Sequence, residues 1–209
     1  MCVNQVSFRK AGFGLIETLV ILAIAALLLG IGLPAFIDMI SAGTATDYAN
    51  DLLADINYAR SEAVSRGSRV VICKGMATRE NSDCTTGHWE DGWKIFEDCN
   101  NDQKVSASTC PDRNGDGAPD NEVVLRVHGP LNSGWTLRGN ANVTNRITIL
   151  PDARTNNIGT LVFCQNGKLN VGNQTRSAAV VVNITGRPRV SQDRNSDGIP
   201  DDVTTCNLN

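Results

Sequence analysis

A long uncharged stretch near the N-terminus constrains this chain more than any other feature. From Leu19 to Ile37 the sequence runs for 19 residues without an acidic or basic side chain. At a rise of about 1.5 Å per residue, a helix of that length measures about 28 Å, close to the thickness of a bilayer core. The stretch therefore predicts a transmembrane helix, with the span at about residues 15–37.

The charges on either side of this stretch predict its orientation. Arg9 and Lys10 precede it, whereas Asp38, Asp47 and Asp51 follow it. Because positive charge collects on the cytoplasmic side of membrane helices, we expect a single-pass protein with a cytoplasmic N-terminus and an exported remainder.

The small residues that a processing enzyme would cut lie before the apolar run. A secretory signal peptide carries its cleavage site after the run, whereas here the candidate site is Ala11–Gly12. Cleavage after Gly12 would keep the helix in the mature chain. A plain signal anchor is the alternative.

The order Gly12, Phe13, Leu15, Ile16, Glu17 resembles the N-terminal signature of type IV prepilins and type II secretion pseudopilins. In that signature a short basic leader ends in Gly and is followed by Phe and then Glu. The resemblance implies a leader at 1–12 and a prepilin peptidase that cuts between Gly12 and Phe13 and methylates the new amine. We expect the stem helix at 13–66. It also implies an inner-membrane precursor.

Two further stem residues carry expectations of their own. An ionised Glu17 inside hydrocarbon costs about 3 kcal/mol or more unless it is paired, and the resemblance implies that it meets the Phe13 amine of a neighbouring subunit during assembly. The alternative is an acid that reaches the membrane interface. Pro34 stands where many such helices carry a proline, and it removes one helical hydrogen bond.

Beyond the stem the pattern changes from helix to strand. Apolar residues recur at spacings of three and four up to Gly67, which predicts a helix to about Arg66: Ile40, Tyr48, Leu52, Ile56, Ala59 and Ala63. Short runs rich in Val, Ile, Thr and aromatic residues then predict strands: Arg69–Cys73, Trp93–Phe96, Val123–Val127, Trp135–Arg138, Arg146–Leu150, Thr160–Cys164, Ala179–Asn183 and Arg187–Val190.

A leading helix followed by strands predicts an α+β fold, with a long N-terminal transmembrane helix packed on an antiparallel β-sheet head at 68–209. The resemblance implies that this fold is pilin-like. Several segments of this head resemble the GspH/FimT-type head of minor pilins and of the H pseudopilin: Val70–Cys73, Gly87–Phe96, Asp112–Gly117, Val123–Val127, Gly159–Cys164 and Ile184–Val190.

Six of the seven cysteines lie in the head, and an even number in an exported domain predicts disulfides. The sequence leaves many pairings open. We favour Cys73–Cys84 and Cys99–Cys110, which close short polar insertions, and Cys164–Cys206, which ties the C-terminal tail to a strand. Zinc is disfavoured because the chain has no C-x-x-C pair.

Two loops share the pattern D-R-N-x-D-G-x-P-D, which places oxygen side chains at the positions that calcium loops use. The candidate ligands are Asp112, Asn114, Asp116, Asp120, Asp193, Asn195, Asp197 and Asp201. Val123 and Thr204 stand where an EF-hand has its Glu, so Glu122, Asp202 or water would have to complete the shell. A solvated turn is the alternative.

The segment Gly186-Arg187-Pro188-Arg189 is a candidate DNA-binding site. Alternate residues of a strand face the same side, so Arg187 and Arg189 would both reach phosphates. A G-R-x-R segment here is similar to the DNA-contacting motif of minor pilins in natural transformation. The net charge of −3, which becomes −5 without Arg9 and Lys10, opposes DNA binding.

The sequence contains no G-x-S-x-G, H-E-x-x-H or P-loop motif, so we expect no enzyme and no required cofactor, with calcium as the candidate ion. We predict a minor pilin or pseudopilin in a type IV pilus or type II secretion pseudopilus, with other pilins or pseudopilins, prepilin peptidase and the inner membrane as partners. The alternatives are a DNA-binding minor pilin for natural transformation and a membrane-anchored calcium-binding adhesion module. The shared stem does not distinguish pilus from secretion machinery.

Overall fold

The computed structural model describes residues 14–75, 84–107, 109–140, 142–171, 174–175, 177–197 and 199–206, with only the backbone described at 31, 34–38, 41, 171, 174 and 175. Within these ranges the elements are α1 (Leu15–Arg66), β1 (Val70–Lys74), a 3₁₀ turn (Trp89–Asp91), β2 (Trp93–Glu97), β3 (Val124–His128), β4 (Trp135–Gly139), β5 (Arg146–Ile149), β6 (Gly159–Gln165), β7 (Asn170–Val171), β8 (Gln174–Thr175), β9 (Ser177–Val182) and β10 (Pro188–Val190).

The predicted helix end is confirmed. Helix α1 ends at Arg66, and Gly67 follows with a φ of 62°. That left-handed conformation costs glycine little and commonly ends helices. The last turn carries Arg66 itself, whose positive charge suits the C-terminal end of a helix.

The chain divides into two compact units, Met1–Ile40 and Ser41–Asn209. In the first unit the described large apolar side chains are exposed: Leu15, Ile16, Leu19, Val20, Ile21, Leu22, Ile24, Leu27, Leu28, Leu29, Leu33, Met39 and Ile40. Among the residues that the structure describes, no helix has the length and apolar character needed to cross a membrane.

The second unit is built around one face of the C-terminal half of α1. The buried face consists of Ala45, Ala49, Leu52, Ile56, Ala59 and Ala63, at alternating spacings of four and three. Small alanine side chains let the sheets pack close to the helix axis. The predicted apolar stripe is confirmed from Leu52 to Ala63, and Tyr48 packs at its margin. Ile40 is exposed, so the buried face begins at Ala45.

Two four-stranded antiparallel sheets pack with this helix into one core. Their strand orders are β3-β2-β1-β5 and β10-β9-β6-β4, and β7 pairs with β8 in a separate ribbon. In the first sheet Ile72 pairs with Ile95 of β2 and Ile147 of β5, which places apolar side chains side by side. The α+β fold class is thus confirmed, and all eight predicted strands are present, with ends that differ by one or two residues.

All three favoured disulfides are present. Cys73–Cys84 and Cys99–Cys110 each join cysteines 11 residues apart, and Cys164–Cys206 joins cysteines 42 residues apart. The third pair lies in a small apolar cluster with Val162, Ala179 and Val203. The C-terminal tail is therefore fixed to β6 by a covalent bond and by apolar packing.

Candidate functional site

The processing site and the assembly residues lie at the start of the chain. Gly12 and Phe13 lie outside the described residues, so their cleavage stays a prediction. Glu17 lies exposed in the first turn of α1, where its amide donates to the carbonyl of Gly14 at 3.0 Å. A carboxylate suits this helix end because it faces the positive end of the helix dipole. Pro34 lies within α1.

A buried hydrogen-bonded group fixes the second half of α1 to the first sheet. Asp55 is 4% exposed and accepts two hydrogen bonds of 2.8 Å, from the indole nitrogen of Trp93 and from the guanidinium of Arg126. The Arg126 guanidinium also lies 3.9 Å from the ring centre of Tyr58, one turn along α1. Because Trp93 is fully buried, Asp55 is the partner that satisfies its N–H in the core.

The loop from Asp112 to Asp120 is closed by its own hydrogen bonds. The two carboxylate oxygens of Asp112 accept from the amides of Gly115 and Gly117 at 2.7 and 2.8 Å. These amide bonds, from Gly117 first and then Gly115, lower the pKa of Asp112. The side-chain amide of Asn114 donates to Asp116 at 3.0 Å and to Asp120 at 3.3 Å, so an N–H group bridges the two carboxylates.

The second loop repeats part of this geometry. The side-chain amide of Asn195 donates to Asp197 at 2.9 Å, and the amide of Asp197 donates to Asp193 at 3.2 Å. The amide of Arg194 donates to Asp201 at 3.2 Å, as Arg113 does to Asp120 at 2.9 Å. The sequence repeat therefore corresponds to a structural repeat of two Asx-type turns.

Calcium prefers carboxylate and amide oxygens, and both loops supply them. The two acids that would complete the calcium coordination shells, however, bind other groups of the protein. Glu122 accepts from the amides of Cys99 and Ser106 at 2.8 Å. Asp202 accepts from the Ser191 hydroxyl at 2.7 Å and pairs with Arg189. Calcium binding at the loops stays a prediction, which calorimetric titration of the protein with CaCl₂ tests.

Sequence reasoning missed a third acidic group, in which the carboxylate oxygens of Asp98, Asp102 and Glu122 lie within 4.8 Å of one another. Asp98 and Glu122 are buried. Burial first, and then the charge of Glu122, raises the pKa of Asp98. The available signal was the spacing D-x-N-x-D at Asp98, Asn100 and Asp102, which both Asp-rich loops share.

The pKa of the neighbouring Glu97 is shifted in the opposite direction. Its carboxylate is fully buried and accepts hydrogen bonds from Ser68 and from two nitrogens of Arg113, and it pairs with Arg66 at 3.5 Å. Burial opposes ionisation of Glu97, yet the bonds from Arg113 and Ser68 and the charges of Arg113 and Arg66 hold its pKa below the usual value. Arg113 thereby ties the first Asp-rich loop to β2 and to the last turn of α1.

Comparison with known families decides the family of this chain. The model of the family described as type II transport protein GspH matches residues 48–186, which is well over half of the sequence. The chain belongs to the GspH family. No curated protein sequence matches it.

Two crystal structures of the type IV minor pilin FimU from Pseudomonas aeruginosa are similar to this GspH-family chain. The first is 22% identical with a TM-score of 0.47, and the match covers 76% of this chain and 93% of FimU. The second is 21% identical with a TM-score of 0.46, and covers 75% of this chain and 98% of FimU.

The candidate DNA-binding arginines lie just beyond the GspH match, which ends at Gly186. Arg187 is exposed, and no acidic side chain pairs with it among the described residues. Arg189 lies on β10 and pairs with Asp202 at 2.9 Å. Because Asp202 competes with phosphate for Arg189, the geometry weakens the candidate site. DNA binding by this GspH-family chain stays a prediction.

Proposed function

We propose that this chain is a minor pilin or pseudopilin, a subunit that assembles through its N-terminal helix into a type IV pilus or a type II secretion pseudopilus. Its work in this proposal is assembly and presentation of the head, and it catalyses no reaction. The observation that carries the proposal is the combination, in one chain, of a GspH-family head and a helix whose described large apolar side chains from Leu15 to Ile40 are exposed.

The energetics of this helix support assembly. Leu15 is 79% exposed and Leu27 is 68% exposed, and full burial of one such side chain stabilises by about 1.5–3 kcal/mol. A row of them therefore favours either lipid or the apolar faces of neighbouring helices. We propose that the inner membrane holds the helix before assembly, with the N-terminus cytoplasmic and the head periplasmic, and that neighbouring pilins hold it afterwards.

Glu17 is the residue that makes assembly specific in this proposal. Prepilin peptidase cuts between Gly12 and Phe13 and methylates the amine of Phe13, and Glu17 of an incoming subunit then pairs with the amine of a neighbour. In apolar surroundings a paired carboxylate is favoured over an isolated one by several kcal/mol.

The test compares Glu17→Leu with Asp47→Leu in cells that assemble the filament. Both replacements remove one exposed acid from α1. We expect Glu17→Leu to leave the protein in the membrane and absent from sheared filaments, whereas Asp47→Leu is incorporated. Equal incorporation of both variants contradicts the proposed role.

Mass spectrometry separates the proposal from a plain membrane-anchored module. We expect the purified protein to lack residues 1–12 and to carry a methylated amine on Phe13, and both changes should disappear when prepilin peptidase is deleted. A chain that keeps its first twelve residues in wild-type cells would support the anchored module. Measuring piliation and protein secretion in a deletion strain then distinguishes pilus from secretion machinery.

A further inference from the structure

A cleft of about 170 Å³ lies where the two sheets of the head meet. One wall is the end of β1, the opposite wall is β4, and the 3₁₀ turn and Thr144 complete the lining. The residues that matter for its chemistry are Lys74, His88, Trp89, Leu137, Arg138 and Thr144. The features already assigned to assembly, calcium and DNA do not include any of them.

The walls of this cleft are held in place. Trp89 is 2% exposed, and its indole nitrogen donates to the carbonyls of Val143 and Thr144 at 3.0 and 2.9 Å. Leu137 is fully buried beside it. A Cβ on Gly139 would lie 2.3 Å from the carbonyl oxygen of Val143, so the β4 backbone packs directly against this loop. Rigid walls favour binding because little freedom is lost when a ligand enters.

The cleft carries an excess of positive charge. The ammonium of Lys74 has no hydrogen-bond or ion-pair partner among the described residues. Arg138 donates from one terminal nitrogen, Nη1, to Glu90 and to the carbonyl of Leu137, which leaves Nε and Nη2 without a described partner. Burial first, and then the charge of Arg138, lowers the pKa of Lys74, while the charge of Glu90 opposes this shift.

We propose that this cleft binds a small carboxylate between the Lys74 ammonium and the free edge of the Arg138 guanidinium. Glu90 cancels one of the two positive charges, so a monoanion completes the balance whereas a phosphate dianion exceeds it. A planar carboxylate also fits a guanidinium edge through two parallel hydrogen bonds. The inference does not depend on assembly of the chain into a filament.

The first test uses the full-length wild-type chain in detergent micelles. The chain has three tryptophans. In an NMR titration the indole N–H signal of Trp89 reports on the cleft, and the signals of Trp93 and Trp135 serve as internal controls. We expect sodium acetate and glucuronate to shift the Trp89 signal saturably, with inorganic phosphate weaker at equal concentration. A Trp89 signal that does not move, or one that saturates first with phosphate, overturns the proposal.

The same carboxylate could come from a free sugar acid or from an acidic side chain of a protein, so a blocked glutamate dipeptide forms the third arm. The tightest of the three ligands identifies the source. Each of these results keeps the cleft as a carboxylate site.

Variants supply the second test. Lys74→Met keeps the length of the side chain and removes its charge, and we expect affinity to fall about tenfold or more, the usual loss for a charge-assisted hydrogen bond. Lys74→Arg should restore most of it. The matched control is Lys168→Met, which removes an exposed lysine outside the cleft. Equal affinity in Lys74→Met and Lys168→Met contradicts the proposed site.

Discussion

Replacing Asp55 with alanine should lower the free energy of unfolding by about 3 kcal/mol. The replacement leaves the indole N–H of Trp93 buried without an acceptor, which costs about 1–3 kcal/mol. It also removes the ion pair with Arg126, whose side chain is 45% exposed. Because solvent screens that pair, its loss adds no more than about 1 kcal/mol. The unsatisfied indole thus dominates the expected effect.

The measurement is thermal unfolding of the full chain in detergent, followed by tryptophan fluorescence. For a protein of this size, 1 kcal/mol corresponds to about 2–4 °C in Tm, so Asp55→Ala should melt about 6–12 °C below the parent. Asp55→Asn keeps an oxygen for Trp93 and should lose only about 1 kcal/mol. The control is Asp47→Ala, which removes an exposed acid from the same helix.

A double-mutant cycle with Trp93→Phe isolates the hydrogen bond. In the Trp93→Phe background the buried donor is absent, so Asp55→Ala should cost about 2 kcal/mol less than it does in the parent. The reasoning is refuted if the free energy of unfolding of Asp55→Ala lies within about 0.5 kcal/mol of that of Asp47→Ala. It is also refuted if the free-energy cost of Asp55→Ala is unchanged when Trp93 is phenylalanine.

Three further predictions concern stability. The folded state lowers the pKa of Glu97. Its carboxylate therefore stabilises the fold above its usual pKa of 4.5, and this stabilisation is lost as the pH falls. Glu97→Gln should have a lower Tm than the parent at pH 7, and the difference in Tm should narrow at pH 3. A Cβ on Gly92 would lie 2.4 Å from the backbone oxygen of His128, so Gly92→Ala should cost about 2 kcal/mol more in urea unfolding than Gly115→Ala, where nothing lies within 4 Å. Removing the Cys164–Cys206 bond by Cys206→Ser should cost about 4 kcal/mol, more than loss of either shorter crosslink; an equal cost for all three contradicts the loop-length argument.

The sequence predicted the elements well because local pattern decides them. Leu52, Ile56, Ala59 and Ala63 recur at helical spacing, and that spacing places them on one buried face. Gly67 ends the helix because it adopts a positive φ at little cost. The sequence favoured the disulfide pairs without determining them, because six cysteines leave many pairings open.

The arrangement of those elements could not be predicted in the same way. The sheet order β3-β2-β1-β5 depends on pairings between strands far apart in sequence. Alternation of apolar and polar residues predicts which face of a strand is buried, but it does not predict which strand lies beside it. The ribbon β7–β8 escaped prediction because two residues per strand give no alternation to detect.

The roles of the site residues also depend on contacts between segments that are far apart in sequence. Arg113 belongs to the D-R-N repeat, yet its side chain leaves the loop to reach Glu97, while its counterpart Arg194 is 76% exposed and lies 3.8 Å from Asp201 of its own loop. Identical motifs therefore have different roles according to what packs beneath them. The cleft at Lys74 and Arg138 joins two sheets, so no single segment of sequence contains it.

The adjacent acids Glu97 and Asp98 have a joint consequence for how the stability of the head depends on pH. Acidification removes the stabilising charge of Glu97, whereas it relieves the buried charge of Asp98, whose pKa is raised in the fold. The two proton uptakes act on stability with opposite sign. Protonation of Asp98 therefore offsets part of the stability that protonation of Glu97 removes, and the head loses less stability on acidification than it would with Glu97 alone.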